Sequence, residues 1–104
     1  MMIRLELLLD EDHVETAKKA LREIGIKKML LSEIKEYDEE HTHVEGYRGS
    51  TYVVDFVKKT KMELLLASED IVDRALHILS VANIDTEAIV YSVSNHYHVT
   101  KRES

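Results

Sequence analysis

Two short spacings carry most of the chemistry this chain could do. The six histidines include two i,i+2 pairs, His41-x-His43 and His96-x-His98. On an extended segment such a pair presents both imidazoles on one side, a donor set that suits zinc, copper or nickel, so a divalent metal is one candidate cofactor. Glu39, Glu40 and Glu45 lie near the first pair. The plainer reading makes the first pair exposed loop residues and the second half-buried strand residues. His13 and His77 fall on helical stretches and read as surface residues. The other distinctive stretch, Tyr47-Arg48-Gly49-Ser50-Thr51-Tyr52, sets Tyr47, Arg48 and Tyr52 close together. Tyrosine and arginine are over-represented at interface hot spots, so this stretch reads as a surface for docking another protein. Catalysis is not expected. The chain has no nucleophile elbow, P-loop, HExxH or clear acid–base carboxylate pair, and its many Asp and Glu residues read as solvated faces.

The elements that must position these residues belong to a small protein. At 104 residues, one domain spanning residues 1–104 is expected, with a modest core that oligomerisation would help. A net charge of −6 argues against nucleic-acid binding, which needs a basic face. Cysteine is absent, which removes disulfides, thiolate nucleophiles and Cys-based zinc sites. No apolar run approaches the ~20 residues needed to span a bilayer. The N-terminus alternates charge and leucine rather than forming a signal peptide, so the expected location is the cytoplasm.

Ile3, Leu5, Leu7 and Leu9 recur at strand spacing. Asp10-Glu11-Asp12 supplies an acidic cap and first turn for a helix carrying Val14, Ala17, Leu21 and Ile24, which ends at Gly25. Met29, Leu31 and Ile34 read as a second strand, and residues 37–56 as a long polar loop with β-prone Tyr52 to Phe56 at its return. Lys61 to Leu66 reads as a third strand. Ser68 caps a second helix with Ile71, Val72, Ala75, Leu76, Leu79 and Ala82 along its apolar stripe. Ile89 to Val93 reads as a fourth strand, with Tyr97 to Lys101 continuing it or adding another. The expected fold class is α+β, a ferredoxin-like βαββαβ sandwich with both helices on one sheet face. The other face needs a cover, and a second copy is the simplest one.

Several stretches resemble the PII signal-transduction family, and residues 1–82 align with its pattern without a gap. Tyr47-Arg48-Gly49-Ser50-Thr51-Tyr52-Val53-Val54-Asp55-Phe56 resembles that family's long loop, Tyr-Arg-Gly-Ala/Ser-Glu-Tyr-x-Val-Asp-Phe. Ala20-Leu21-Arg22-Glu23-Ile24-Gly25-Ile26 resembles the end of its first helix. Val54-Asp55-Phe56-Val57-Lys58-Lys59-Thr60-Lys61-Met62-Glu63 resembles its third strand. The resemblance implies a homotrimer with effector clefts between subunits, and a long loop that docks on a membrane transporter or an enzyme. It implies Met29, Lys59, Glu63 and Leu65 as cleft positions, with His98, Lys101 and Arg102 near two arginines of the family's last strand. Tyr52 matches the family's modified tyrosine, though Thr51 departs from the usual preceding residue.

Other departures gather where a polyphosphate would bind. The family's glycine-rich Thr-Gly-x-Ile-Gly-Asp-Gly-Lys is Ala82-Asn83-Ile84-Asp85-Thr86-Glu87-Ala88-Ile89 here, with no glycine and no lysine. Glycines there let backbone N–H groups approach phosphate. The family's Gly-x-Gly-Arg-Gln is Glu36-Tyr37-Asp38-Glu39-Glu40. Each lost charge-assisted contact removes roughly 1.5–3 kcal/mol. Tight sensing of ATP with magnesium and 2-oxoglutarate is therefore not expected; AMP, ADP or another small effector stays open. The expected function is a PII-like regulator that reads a small effector and acts through its loop. The alternatives are a metal-responsive trimer using the histidine pairs, or an interaction module with no effector.

Overall fold

Alternating leucines make β1 (Met2–Asp10) the central strand, because one of its edges pairs with β5 (Phe56–Leu66) and the other with β6 (Glu87–Val93), both antiparallel. The computed structural model describes residues 2–37, 43–47, 50–54 and 56–102. Its main sheet has the order β2-β5-β1-β6, where β2 is Leu30–Tyr37. Two helices, α1 (Val14–Glu23) and α2 (Glu69–Val81), complete the βαββαβ order expected from the periodicity.

Register makes the core. Ile3 stands opposite Leu66, Leu5 opposite Leu64 and Leu7 opposite Met62, so one face of β1 and β5 is continuously apolar. Ala17 and Leu21 of α1, with Val72, Ala75 and Leu79 of α2, close that face. Leu5, Leu7, Leu9, Leu21 and Met62 are fully buried. Burying a leucine side chain contributes about 1.5–3 kcal/mol, so this stripe is the main source of stability.

Both helices end in the same way. Gly25 has φ +92°, its N–H bonds the Arg22 carbonyl at 3.0 Å, and the Ile26 N–H bonds the Leu21 carbonyl at 3.1 Å. Asn83 has φ +60°, its N–H bonds the Ser80 carbonyl at 3.0 Å, and the Ile84 N–H bonds the Leu79 carbonyl at 3.0 Å. These are paired Schellman closures, which use glycine or asparagine because other residues resist a left-handed backbone.

Five expectations are corrected. Residues 11–13 form a 3-10 turn before α1, and Asp10 makes no side-chain cap bond; instead its carboxylate lies 3.8 Å from the Lys59 ammonium. His13 is half-buried at the start of α1 rather than a surface residue. The segment 37–56 is not simply a loop, since β3 (His43–Tyr47) and β4 (Ser50–Val54) pair as a separate two-stranded sheet. Backbone groups make that ladder, so a polar segment can form it once β-prone Thr51–Val54 is within reach. β5 begins at Phe56 rather than Lys61. Residues 97–101 form no strand. Met2 of β1 already stands opposite Val93, so residues beyond 93 run past the end of the neighbouring strand.

Candidate functional site

The two-residue period of β5 places Lys59, Lys61, Glu63 and Leu65 on the sheet face away from the helices, alternating with the buried Thr60, Met62, Leu64 and Leu66. β1 contributes Arg4, Glu6 and Leu8 to the same face, opposite Leu65, Glu63 and Lys61. β6 adds Ile89 and Tyr91, opposite Glu6 and Arg4. β2 adds Leu30, Ser32 and Ile34, opposite Glu63, Lys61 and Lys59.

These side chains form one connected polar network. The Lys61 ammonium lies 3.2 Å from Glu63 Oε1 and 3.5 Å from Glu6 Oε1. The Tyr91 hydroxyl donates to Glu6 Oε2 at 3.2 Å. The Arg4 guanidinium stacks 4.3 Å above the Tyr91 ring, a cation–π contact. Arg4 Nε is buried with no hydrogen-bond partner among the described residues. Glu6 is 9% exposed, an ionisable group held largely out of solvent by these contacts. The hydrogen bond and charge of Glu63, then Glu6, hold the Lys61 ammonium above its ordinary pKa.

At the end of β5 nearest the β3–β4 hairpin, Lys59 Nζ lies 3.8 Å from both Asp10 Oδ1 and Glu36 Oε1. Lys35 Nζ sits 4.7 Å over the Phe56 ring. β2 ends at Tyr37 and β5 begins at Phe56 directly opposite it, so the Lys59–Glu36 and Lys35–Phe56 contacts join the two strands from which the hairpin departs, while Asp10 ties Lys59 to β1. Lys59 is therefore already engaged by two carboxylates.

Of the sequence-derived cleft residues, the fold brings Lys59, Glu63 and Leu65 onto one face. Met29 lies just before β2 and packs half-buried against the core; Leu30, not Met29, stands opposite Glu63. His98, Lys101 and Arg102 lie on the exposed segment after β6, as does His96. Tyr47 ends β3 opposite Ser50, and Tyr52 stands opposite Glu45 in β4. His43 begins β3, whereas His41 and Arg48 lie outside the described residues. Among the described residues no group of three or more His, Cys, Asp or Glu is placed to hold a metal ion. Sequence reading did not single out Arg4, Glu6, Lys61, Tyr91 or Glu36. The alternations Arg4-x-Glu6 and Lys59-x-Lys61-x-Glu63 were the available signal, but the register that joins them is not local.

In the turn after α2, an open groove of about 380 Å³ is lined by Leu79, Asn83, Ile84, Asp85, Thr86 and other residues. Thr86 Oγ1 donates to the Leu8 carbonyl at 2.6 Å, tying this turn to β1. Its ionisable lining residue is Asp85, so it is a poor seat for phosphate.

No protein-family profile matches the chain. Curated relatives do. The chain is 35% identical over 81 residues to the nitrogen regulatory protein P-II of Azospirillum brasilense, covering 78% of this chain and 71% of the relative. It is 34% identical over 85 residues to that of Cereibacter sphaeroides, covering 81% and 75%. The fold superposes on Bacillus subtilis GlnK with a TM-score of 0.65 at 17% identity, covering 89% of this chain and 85% of that one. It superposes on Arabidopsis thaliana PII, a structure with bound citrate, with a TM-score of 0.65 at 20% identity, covering 89% and 78%. Kinship in sequence over more than two thirds of both chains, joined to the same βαββαβ order, places this chain in the nitrogen regulatory protein P-II family.

Proposed function

We propose that this chain is a single-domain, cytoplasmic regulator rather than an enzyme. Three copies assemble with effector clefts between them, and the arm spanning residues 37–56 binds or releases a membrane transporter or an enzyme. The observation that carries this reading is the P-II kinship over 81 residues, which includes the stretch Tyr47 to Phe56. The root of the arm supports it. Lys59, Glu36 and Asp10 meet where β2 and β5 give rise to the hairpin, so an effector that draws Lys59 away from Glu36 biases the arm.

The effector is a small molecule of low charge, with AMP or ADP favoured over ATP. Lys59 is flanked by two carboxylates, and Asp85 and Glu87 stand where the family has its phosphate-binding loop. Calorimetric titration with AMP, ADP and ATP, with and without magnesium, tests this reading, with zinc and copper titrations as the control for the histidine pairs. Saturation near one nucleotide per subunit, weakest for ATP, is the expected result. No heat with any nucleotide overturns it.

A further inference from the structure

We propose that the C-terminal end of α1 and the neighbouring face of α2 form a second docking surface, separate from the arm. It fits an acidic segment of a partner protein that seats one apolar side chain between the helices.

Charge is unevenly spread along the chain. Five of the 14 Lys and Arg residues lie between residues 18 and 28, against Glu23 as the one acid there. That stretch carries a net charge of +4 in a chain of net −6. The fold gathers these cations at one end of the helical layer. Lys19 and Arg22, three residues apart, share the exposed side of α1. The left-handed turn at Gly25 ends the helix, Ile26 is buried in the core, and Lys27 and Lys28 follow at once, both exposed. Arg74, exposed on α2, lines the same groove as Ile24, the residue after α1. Lys18 is half-buried and paired with Glu15 at 3.1 Å, so it stands apart from the surface.

A helix C-terminus favours cations, and this accounts for Arg22 in the last turn of α1. It does not account for Lys27, Lys28 or Arg74, which lie outside that helix.

The groove supplies the apolar half of the surface. It measures about 260 Å³ and is lined by Ile24, Asp73, Arg74, His77 and Ile78. Ile24 and Ile78 pack against the core, so an apolar side chain entering here extends an existing cluster. Arg74 and His77 bring hydrogen-bond donors to the same place. A carboxylate next to an apolar residue complements both. The helices lie on one side of the sheet and the Lys61 network on the other, so a copy that covers the far face leaves this surface open.

A nucleic acid or an anionic membrane fits less well. Each presents a long run of phosphates, which the net charge of −6 repels and which Glu23 and Asp73 interrupt. A short acidic segment meets the patch alone, because charges beyond about 8 Å are screened at physiological salt.

Fluorescence anisotropy of the full chain with a labelled peptide, Asp-Glu-Glu-Leu-Glu-Asp, tests the surface. The expected result is saturable binding that weakens with added salt. Affinity should fall by about tenfold or more in Lys27→Glu/Lys28→Glu/Arg74→Glu, and also when the leucine of the peptide is replaced by serine. The three substituted residues are exposed, so the variant should keep its circular dichroism; Lys27→Ser/Lys28→Ser, a milder change, should lose affinity in the same direction. No binding by the parent protein, equal binding by the variants, or indifference to the leucine overturns the proposal. Co-sedimentation with vesicles of equal parts phosphatidylserine and phosphatidylcholine is the second arm. Protein that pellets with these vesicles but does not bind the peptide assigns the patch to membranes and overturns the proposal. The nucleotide titration above reads a different site, so either reading fails independently of the other.

Discussion

Lys59 and Glu36 face each other across the root of the β3–β4 hairpin, ammonium to carboxylate at 3.8 Å, with Asp10 at the same distance on the other side of the lysine. The contact bridges β5 and β2 where the two strands hand over to the hairpin. Two half-exposed partners at this distance contribute little to stability, at most about 1 kcal/mol. The arrangement therefore matters more for what Lys59 can exchange than for what it holds.

Replacing Lys59 by Met separates the two roles. Unfolding free energy in urea should move by less than about 1 kcal/mol. Nucleotide affinity in calorimetry should fall by about tenfold or more, the loss of one charge-assisted hydrogen bond. An unchanged affinity would remove Lys59 from the cleft.

Alkaline pH should weaken the far-face network in a defined window. Glu63 and Glu6 raise the Lys61 pKa above its ordinary value of 10.5, with Arg4 and Tyr91 as the other ionisable neighbours of Glu6. A pKa raised in the folded state adds stability that is fully present below 10.5 and is lost as pH rises through the higher folded value. Urea unfolding of the parent protein and of Glu63→Gln should therefore converge above that window and differ below it. Curves that stay parallel throughout would refute the coupling.

In the core, Leu7→Ala should cost about 2–5 kcal/mol, because Leu7 is fully buried opposite Met62 and its neighbours cannot collapse into the space. Leu65→Ala, half-exposed on the far face, should cost much less in a dissociated monomer. Chemical denaturation of the two variants side by side checks the ranking.

The helix ends predict an asymmetry. Gly25→Ala should destabilise by about 1–2 kcal/mol, since φ +92° strains any side chain even though open space surrounds the position. Asn83→Gly should be neutral or slightly stabilising, because it relieves the left-handed backbone of a non-glycine residue. Thermal melts of both, read against the parent, give the comparison.

Tyr91→Phe should destabilise by about 1 kcal/mol. It leaves Glu6 Oε2 without its hydroxyl donor in a site that admits little solvent. A melting temperature equal to the parent's would mean that water replaces the hydroxyl.

Much of the architecture was legible because it rests on local periodicity. Ile3, Leu5, Leu7 and Leu9 declare a strand with one buried face, and the stripe from Val72 through Ala75 to Leu79 declares a helix. Gly25 declared where α1 ends, and it does so through its left-handed φ. The stretch Tyr47 to Phe56 pointed to the family to which the relatives assign the chain. The early start of β5, the hairpin within 37–56 and the end of β6 at Val93 were not legible, because each depends on where a partner strand begins or ends.

By itself, then, the amino-acid order determined the βαββαβ succession and which residues of β1 and β5 share a face, since a strand's side-chain period is two wherever the strand lies. Only the tertiary structure decided that Lys61 stands between Glu6 and Glu63, that Tyr91 reaches Glu6, and that Lys59 meets both Asp10 and Glu36. Those contacts join residues up to 85 positions apart. They are set by inter-strand register, and register is fixed by packing the whole apolar face at once.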